Sequence, residues 1–152
     1  MLKNLKIFVG SLRQLFDPIR SSYYFIDSHN ADHVVLLLTS NGYSRVPVLT
    51  KDKHYLGTIS LADIKRYQDE HNLQEWEMVN RDIGPMTPDV VATVKDDANL
   101  SEVMHKLVDN PFLAVVDSQG IFKGIITRKS ILKQLIASYM TLHMTISSFQ
   151  NN

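Results

Sequence analysis

The stretch Tyr43–Ile64, YSRVPVLTKDKHYLGTISLADI, constrains the fold most, because a version of it occurs twice. The second copy is Phe112–Ile131, FLAVVDSQGIFKGIITRKSI. Gly57 aligns with Gly124, an offset of 67 residues (124 − 57). Without gaps, that offset sets Pro47 on Ala114, Val48 on Val115, Tyr55 on Phe122, Ser60 on Thr127 and Ile64 on Ile131. In each copy two apolar runs flank a short polar turn, the pattern of a hairpin of short strands. Beyond the glycine the pattern becomes helical, with Ser60 as the N-cap and Asp63 in the first turn of the first copy. A helix start of this kind offers free N–H groups and a partial positive charge, which suits phosphate. Upstream, the offset sets Ala31 on Ala98, each opening a helical pattern. Self-similarity at a fixed period is a fold-level signal. Two copies of so long a period predict one domain of two pseudo-symmetric halves rather than a solenoid.

The rest of the chain fits around these copies. Met1 to Phe16 places Leu2, Leu5, Phe8, Val9, Leu12, Leu15 and Phe16 on one helical face, with Lys3, Lys6 and Arg13 off it. This lead-in, residues 1–18, reads as a helix packed on the domain or on a second subunit, or as an amphipathic membrane-surface segment. The first half, residues 19–80, takes a strand at Tyr24–Asp27, a helix at Ala31–Asn41 ended by Gly42, the hairpin, a helix at Leu61–His71, and a linker helix in which Trp76 is an apolar anchor. The second half, residues 81–142, opens with Pro85 and Pro88, which break helix. It continues with a strand at Val90–Val94, a helix at Leu100–Val108 capped by Asp97 or Asn99, the second hairpin, and a final helix from Arg128 to about Leu142. On that helix Ile131, Leu132, Leu135, Ile136 and Tyr139 share one face. Residues 143–152 read as a loose tail.

Each half resembles a CBS motif: strand and helix, then S-R-x-P-V on a strand, a turn, G-x-x-[S/T]-x-x-D and a helix. SRVPV with GTISLADI is the full match, and the second copy departs at Ala114 and Ser130. The resemblance covers about Phe25 to Tyr139. It implies an α+β/α/β fold, β-α-β-β-α in each half, with the two motifs forming one Bateman module that binds adenine nucleotides in the clefts between them. The short chain is similar, more narrowly, to the stand-alone cyclic-di-AMP-binding CBS proteins of Gram-positive bacteria. Such proteins bind and regulate the synthetase of the guanosine tetra- and pentaphosphate alarmone when cyclic-di-AMP is absent.

The resemblance implies two non-equivalent clefts. One joins Ser44, Arg45, Val46 and Pro47, with Ile26 and Tyr43 beside them, to Thr127, Arg128, Lys129 and Ser130. It is expected to gather three cations, a hydroxyl and a helix start, a set suited to phosphate oxygens. The other joins Phe112 and Leu113 to Ser60 and Asp63 and is expected to hold fewer cations and one carboxylate, which can accept hydrogen bonds from a ribose diol. Ser130 stands where the motif has Asp. A cyclic dinucleotide has its 3′ oxygen esterified and no diol, so loss of the carboxylate favours cyclic-di-AMP over AMP there; neutral drift at an unused corner is the alternative. Arg45, Arg128 and Lys129 have the plainer reading of solvated surface charges. Tyr43 either stacks on adenine or packs on the helix Ala31–Asn41.

Composition narrows the function. Lys plus Arg equal Asp plus Glu at 16 each, so the net charge is zero, against nucleic-acid binding by bulk electrostatics. Cysteine is absent, which excludes disulfides, thiol nucleophiles and zinc–thiolate sites and is compatible with a cytoplasmic location. No apolar run is long enough to span a bilayer. His29, His33 and His105 lack ligand spacing, so no metal is expected. Ser60 and Asp63 lie i, i+3 on one helix face without a neighbouring base, and no G-x-S-x-G or P-loop occurs, so no enzyme is expected. The expected function is a non-catalytic sensor of cyclic-di-AMP acting on a protein partner, by analogy an alarmone synthetase. The alternatives are an AMP/ADP/ATP-sensing module and a passive dimerisation partner of a transporter or enzyme. A homodimer is expected, built on the helices after the Ser60 and Thr127 corners.

Overall fold

The computed structural model describes residues 17–18, 23–88 and 92–150. The amphipathic segment 1–16 lies outside the described residues. The first half contains β2 (Phe25–Ile26), α1 (Ala31–Asn41), β3 (Val46–Leu49), β4 (Tyr55–Ile59) and α2 (Leu61–Glu70). A one-turn helix α3 (Glu75–Met78) and a 3-10 turn (Gly84–Met86) lead to the second half. That half contains β5 (Thr93–Lys95), α4 (Leu100–Asp109), β6 (Phe112–Val116), β7 (Phe122–Thr127) and α5 (Arg128–Gln150). β1 (Asp17–Pro18) precedes them all.

The repeat appears in the hydrogen-bond register itself. Val48 faces Gly57 in one hairpin and Val115 faces Gly124 in the other, and the register shifts at the next residue in both. Each half has β2 or β5 parallel to the first hairpin strand, giving the β-α-β-β-α order predicted for a CBS motif. Upstream of the hairpins the ungapped offset fails. The N-caps are Asn30 and Asn99, an offset of 69 (99 − 30), so Ala31 corresponds to Leu100 and not to Ala98. The first half needs two more residues between helix start and hairpin because α1 is longer and closes through Gly42 in the left-handed region at φ 67°.

Each half has its own core. Phe25, Val34, Leu38, Val48, Ile59 and Ile83 fill the first, and Val94, Val103, Leu113, Val115 and Ile126 fill the second. Burying a side chain of this size contributes about 1.5–3 kcal/mol. A third cluster joins the halves: Leu49, Ala114 and Phe122 pack with Tyr24, Ile26, Tyr55 and Ile125. At its centre two bonds repeat each other under the 67-residue offset. Tyr55 N–H donates to the Gly120 carbonyl at 3.2 Å, and Phe122 N–H donates to the Lys53 carbonyl at 2.9 Å. The rings of Tyr55 and Phe122 stack at 5.9 Å between centroids. The junction is therefore a pseudo-twofold made of equivalent turns.

Four local expectations change. Asp17 and Pro18, assigned to a helical lead-in, pair antiparallel with Ile125 and Gly124, so the lead-in adds a strand to the second half's sheet. Trp76 is 75% exposed rather than anchored, because the single turn of α3 buries Met78 and turns Trp76 away. The final helix runs through Gln150 instead of ending near Leu142. Its apolar residues also divide: Ile131 is buried and Leu135 packs on the core, while Leu132, Ile136 and Tyr139 are exposed.

Candidate functional site

The corner after β4 is built by hairpin register. Val46 faces Ile59, so the next residues outward, Arg45 and Ser60, lie opposite each other. Ser60 opens α2 with a capping box: Asp63 N–H donates to Ser60 Oγ at 3.2 Å, and Ser60 N–H donates to Asp63 Oδ2 at 2.9 Å. The Ser60 hydroxyl donates to the same oxygen at 2.7 Å. Asp63 is only 3% exposed, and a carboxylate so buried needs charged partners. It has two. Arg45 Nη2 lies 3.0 Å from Asp63 Oδ2, and Arg66 pairs with Oδ1. Arg45 Nη1 also donates to the Thr58 hydroxyl at 2.8 Å and the Thr58 carbonyl at 3.2 Å.

This corner, expected to be poor in cations, therefore holds two guanidiniums. Two residues before Arg45, the half-exposed ring of Tyr43 lies 5.1 Å from that of Tyr23. Tyr23 was not among the expected site residues. Ile26 and Tyr55 line the junction between the halves, where the Tyr55 hydroxyl is buried without a hydrogen-bond partner among the described residues. Burial pushes the Tyr55 phenol pKa up, with the Arg45 charge opposing it.

The corner after β7 has the same cap with different chemistry. Ser130 N–H donates to Thr127 Oγ1 at 3.0 Å, and Thr127 N–H donates to Ser130 Oγ at 3.1 Å. A hydroxyl thus performs the capping task of Asp63 without its charge, and it donates its own proton to the Thr127 carbonyl at 2.8 Å. Arg128 reaches back to the end of α4, donating at 2.8 Å to the carbonyls of Leu107 and Val108. Those are the carbonyls a helix end leaves open, so Arg128 acts as a C-cap. Lys129 is exposed, and Phe112 lies opposite Thr127 with Leu113 buried next to it.

The predicted residues are thus grouped by half. Ser44, Arg45, Val46 and Pro47 lie with Ser60 and Asp63, while Phe112 and Leu113 lie with Thr127, Arg128, Lys129 and Ser130. The signal that could have found this is the hairpin itself: counting outward from Val48 opposite Gly57 sets Arg45 opposite Ser60. No group of three or more potential metal ligands occurs among the described residues, and no described helix is long and apolar enough to cross a membrane.

Two symmetric β-α-β-β-α halves, joined at equivalent turns and each ending in a Ser/Thr-capped corner, define a CBS pair. The CBS domain family profile matches residues 21–70 and 80–137, and the chain belongs to that family. Among solved structures it is similar to CbpB in complex with c-di-AMP, at 44% identity over 95% of this chain and 97% of that one, with a TM-score of 0.90. It is similar to CbpB from Streptococcus agalactiae at 47% identity, over 90% and 87% of the two chains, with a TM-score of 0.83. The cyclic di-AMP receptor B of Bacillus subtilis (strain 168) is 26% identical over 111 residues, 70% of this chain and 74% of that protein.

Proposed function

We propose that this chain is a non-catalytic regulatory protein that takes cyclic-di-AMP in the cleft between its CBS halves. The observation that carries this reading is the Arg45 corner. A guanidinium there is held by Thr58, Ser60 and buried Asp63, at a helix start, beside the exposed rings of Tyr43 and Tyr23. Guanidinium and free N–H groups suit phosphate, and an aromatic pair suits a purine. The similarity to a CbpB solved with c-di-AMP supports the choice of nucleotide. Uncharged Ser130 supports it too, since a ligand without a free ribose diol loses nothing from the missing carboxylate. In this reading Ile26, Val46 and Pro47 line the cleft on one side, and Thr127, Arg128, Lys129 and Ser130 receive phosphate on the other.

The ligand acts as a switch only through different affinity for two arrangements of the protein. We infer that the apo form, a homodimer, engages a protein target, by analogy an alarmone synthetase, and that cyclic-di-AMP releases it. The target must then weaken ligand binding by the same factor that the ligand weakens target binding.

Isothermal titration with cyclic-di-AMP, AMP and ATP tests the nucleotide. Cyclic-di-AMP is expected to bind tightest; preference for AMP or ATP favours the general adenylate-sensing module, and no binding favours the passive dimerisation partner. Arg128→Ala is expected to weaken cyclic-di-AMP by about 1.5–3 kcal/mol, the scale of a hydrogen bond to a charged group. That is roughly ten- to more than a hundredfold in Kd. Lys129→Ala, which leaves the α4 cap intact, separates phosphate contact from damage to that cap. Unchanged affinity in both variants removes the second corner from the site. A pull-down from lysate with and without the dinucleotide tests the switch, and identical partners in both conditions sink it.

A further inference from the structure

Tyr55 carries a hydroxyl that neither core uses, and hairpin register decides which way it faces. Val46, Val48 and Ile59 point into the first half's core. Pro47 lies opposite Thr58, Leu49 opposite Tyr55, and Ile26 beside Leu49. Cross-strand partners share a sheet face, and so do alternate residues of one strand. Ile26, Pro47, Leu49, Tyr55 and Thr58 therefore form one face, and at Ile26, Leu49 and Tyr55 it packs on the second half. The register shift after Val48 makes this possible. It leaves Leu56 unpaired, so Tyr55 joins the face of Thr58 rather than that of Ile59. Arg45 closes the outer end of this face through its 2.8 Å bond to the Thr58 hydroxyl. Tyr55 stands about 7 Å further in, two residues along the strand pair. Its ring is partly exposed, but its oxygen is enclosed and has no hydrogen-bond partner among the described residues.

Packing does not require a phenol here. The 67-residue offset sets Phe122 on Tyr55, and the two rings stack on each other at 5.9 Å. The second half thus fills with a phenyl ring the place that the first fills with a phenol. A buried polar group without a partner costs stability, and this one sits where only what enters between the halves can supply one. Burial, the larger effect, raises the phenol pKa and the Arg45 charge lowers it, so the guanidinium is near enough to act on this oxygen. We propose that the Tyr55 hydroxyl donates to a ring nitrogen of an adenine that enters between the halves, while Arg45 holds the attached phosphate. The inference rests on the cyclic-di-AMP reading above and deepens it. Ile26, Leu49 and Phe122 make the surroundings of Tyr55 apolar, which suits a flat purine and not a phosphate. The adenine nitrogens N1, N3 and N7 carry lone pairs and no hydrogen, so each can accept from a phenol O–H. Reaching the enclosed oxygen requires the Tyr55–Phe122 stack to shift, so the bond belongs to the ligated arrangement alone. A switch depends on such a contact, made in one arrangement and not in the other.

Isothermal titration of wild-type protein and Tyr55→Phe tests the bond, with cyclic-di-AMP and its 1-, 3- and 7-deaza analogues, in which C–H replaces one ring nitrogen of each adenine. Tyr55→Phe is expected to weaken cyclic-di-AMP about three- to tenfold, the scale of one neutral hydrogen bond. The Tm of the same variant without nucleotide is expected to hold or rise. One deaza analogue is expected to bind wild-type protein more weakly by a similar factor, yet to bind Tyr55→Phe as well as cyclic-di-AMP does. That cycle of variant and analogue isolates the bond. A residue that only packs would lose stability together with affinity and would show no preference among the analogues. Equal affinity of wild-type protein and Tyr55→Phe overturns the proposal and leaves the cyclic-di-AMP reading standing. So does a fall in Tm with unchanged affinity, which gives the hydroxyl a partner within the protein. Analogue losses that are the same in both proteins also overturn it, because the base nitrogens then bond elsewhere. Wild-type protein that binds no cyclic-di-AMP overturns both readings.

Discussion

Replacing Arg45 tests how the candidate site is held together. Arg45→Met keeps the length and apolar stem of the side chain but removes the guanidinium. Four contacts go with it: the 2.8 Å and 3.2 Å bonds to Thr58, the 3.4 Å bond to Ser60 Oγ and the 3.0 Å ion pair with Asp63. A buried pair broken on one side commonly costs 3–5 kcal/mol, because the remaining charge is left uncompensated. Asp63 is not left so. Arg66 still pairs with its other oxygen, and the Ser60 N–H and O–H still donate to it. Arg45 is itself 34% exposed, so water replaces part of what it gives. The expected loss is therefore nearer that of a single charged hydrogen bond, about 1.5–3 kcal/mol. At this chain length each 1 kcal/mol lowers Tm by about 2–4 °C. Chemical denaturation of Arg45→Met, Asp63→Asn and the double variant closes a cycle that isolates the pair. A coupling of about 1 kcal/mol is expected. Additive losses, or an Asp63→Asn protein more stable than the parent, would refute the view that Arg45 and Asp63 stabilise each other.

Three further outcomes follow from the repeat and its turns. Lys53 holds φ 64° where the second copy has Gly120 at φ 80°, so Lys53→Gly is expected to stabilise by about 0.5–1 kcal/mol in urea denaturation, through relief of left-handed strain. Tyr55→Phe removes a buried hydroxyl that has no partner among the described residues; Tm is expected to hold or rise, and a fall of several degrees would reveal a bond to it. The Asp117 carboxylate accepts the N–H groups of Ile121 and Gln119 and pairs with Lys123, and chiefly the Ile121 N–H holds its pKa below the ordinary carboxylate range. A pKa lowered by folding stabilises above the unfolded value and loses that contribution as pH falls through the folded one. Unfolding scans of Asp117→Asn should therefore show a shallower loss of stability on acidification than the parent.

The sequence by itself determined what is local or repeated. Hairpin pairing is short-range, so the glycine offset that aligned two stretches of text also aligned two hydrogen-bond registers, down to the shift after Val48 and Val115. The Ser60 cap was readable because helix caps are set within three residues. So was the family, since its motif lies within one hairpin and one helix start. Tertiary structure decided what lies between distant segments. Arg45 bonds Asp63 across the corner of its own hairpin, and Arg128 reaches the end of α4, 20 residues upstream, contacts that no local pattern announces. The two-residue difference between the halves was invisible until the helices were in place, because α1 and α4 begin by caps that an ungapped alignment cannot move. Nor could hydropathy divide the apolar residues of α5 between core and surface. Ile131 and Leu132 are neighbours of the same character, and only the position of the sheet beneath the helix buries one and exposes the other.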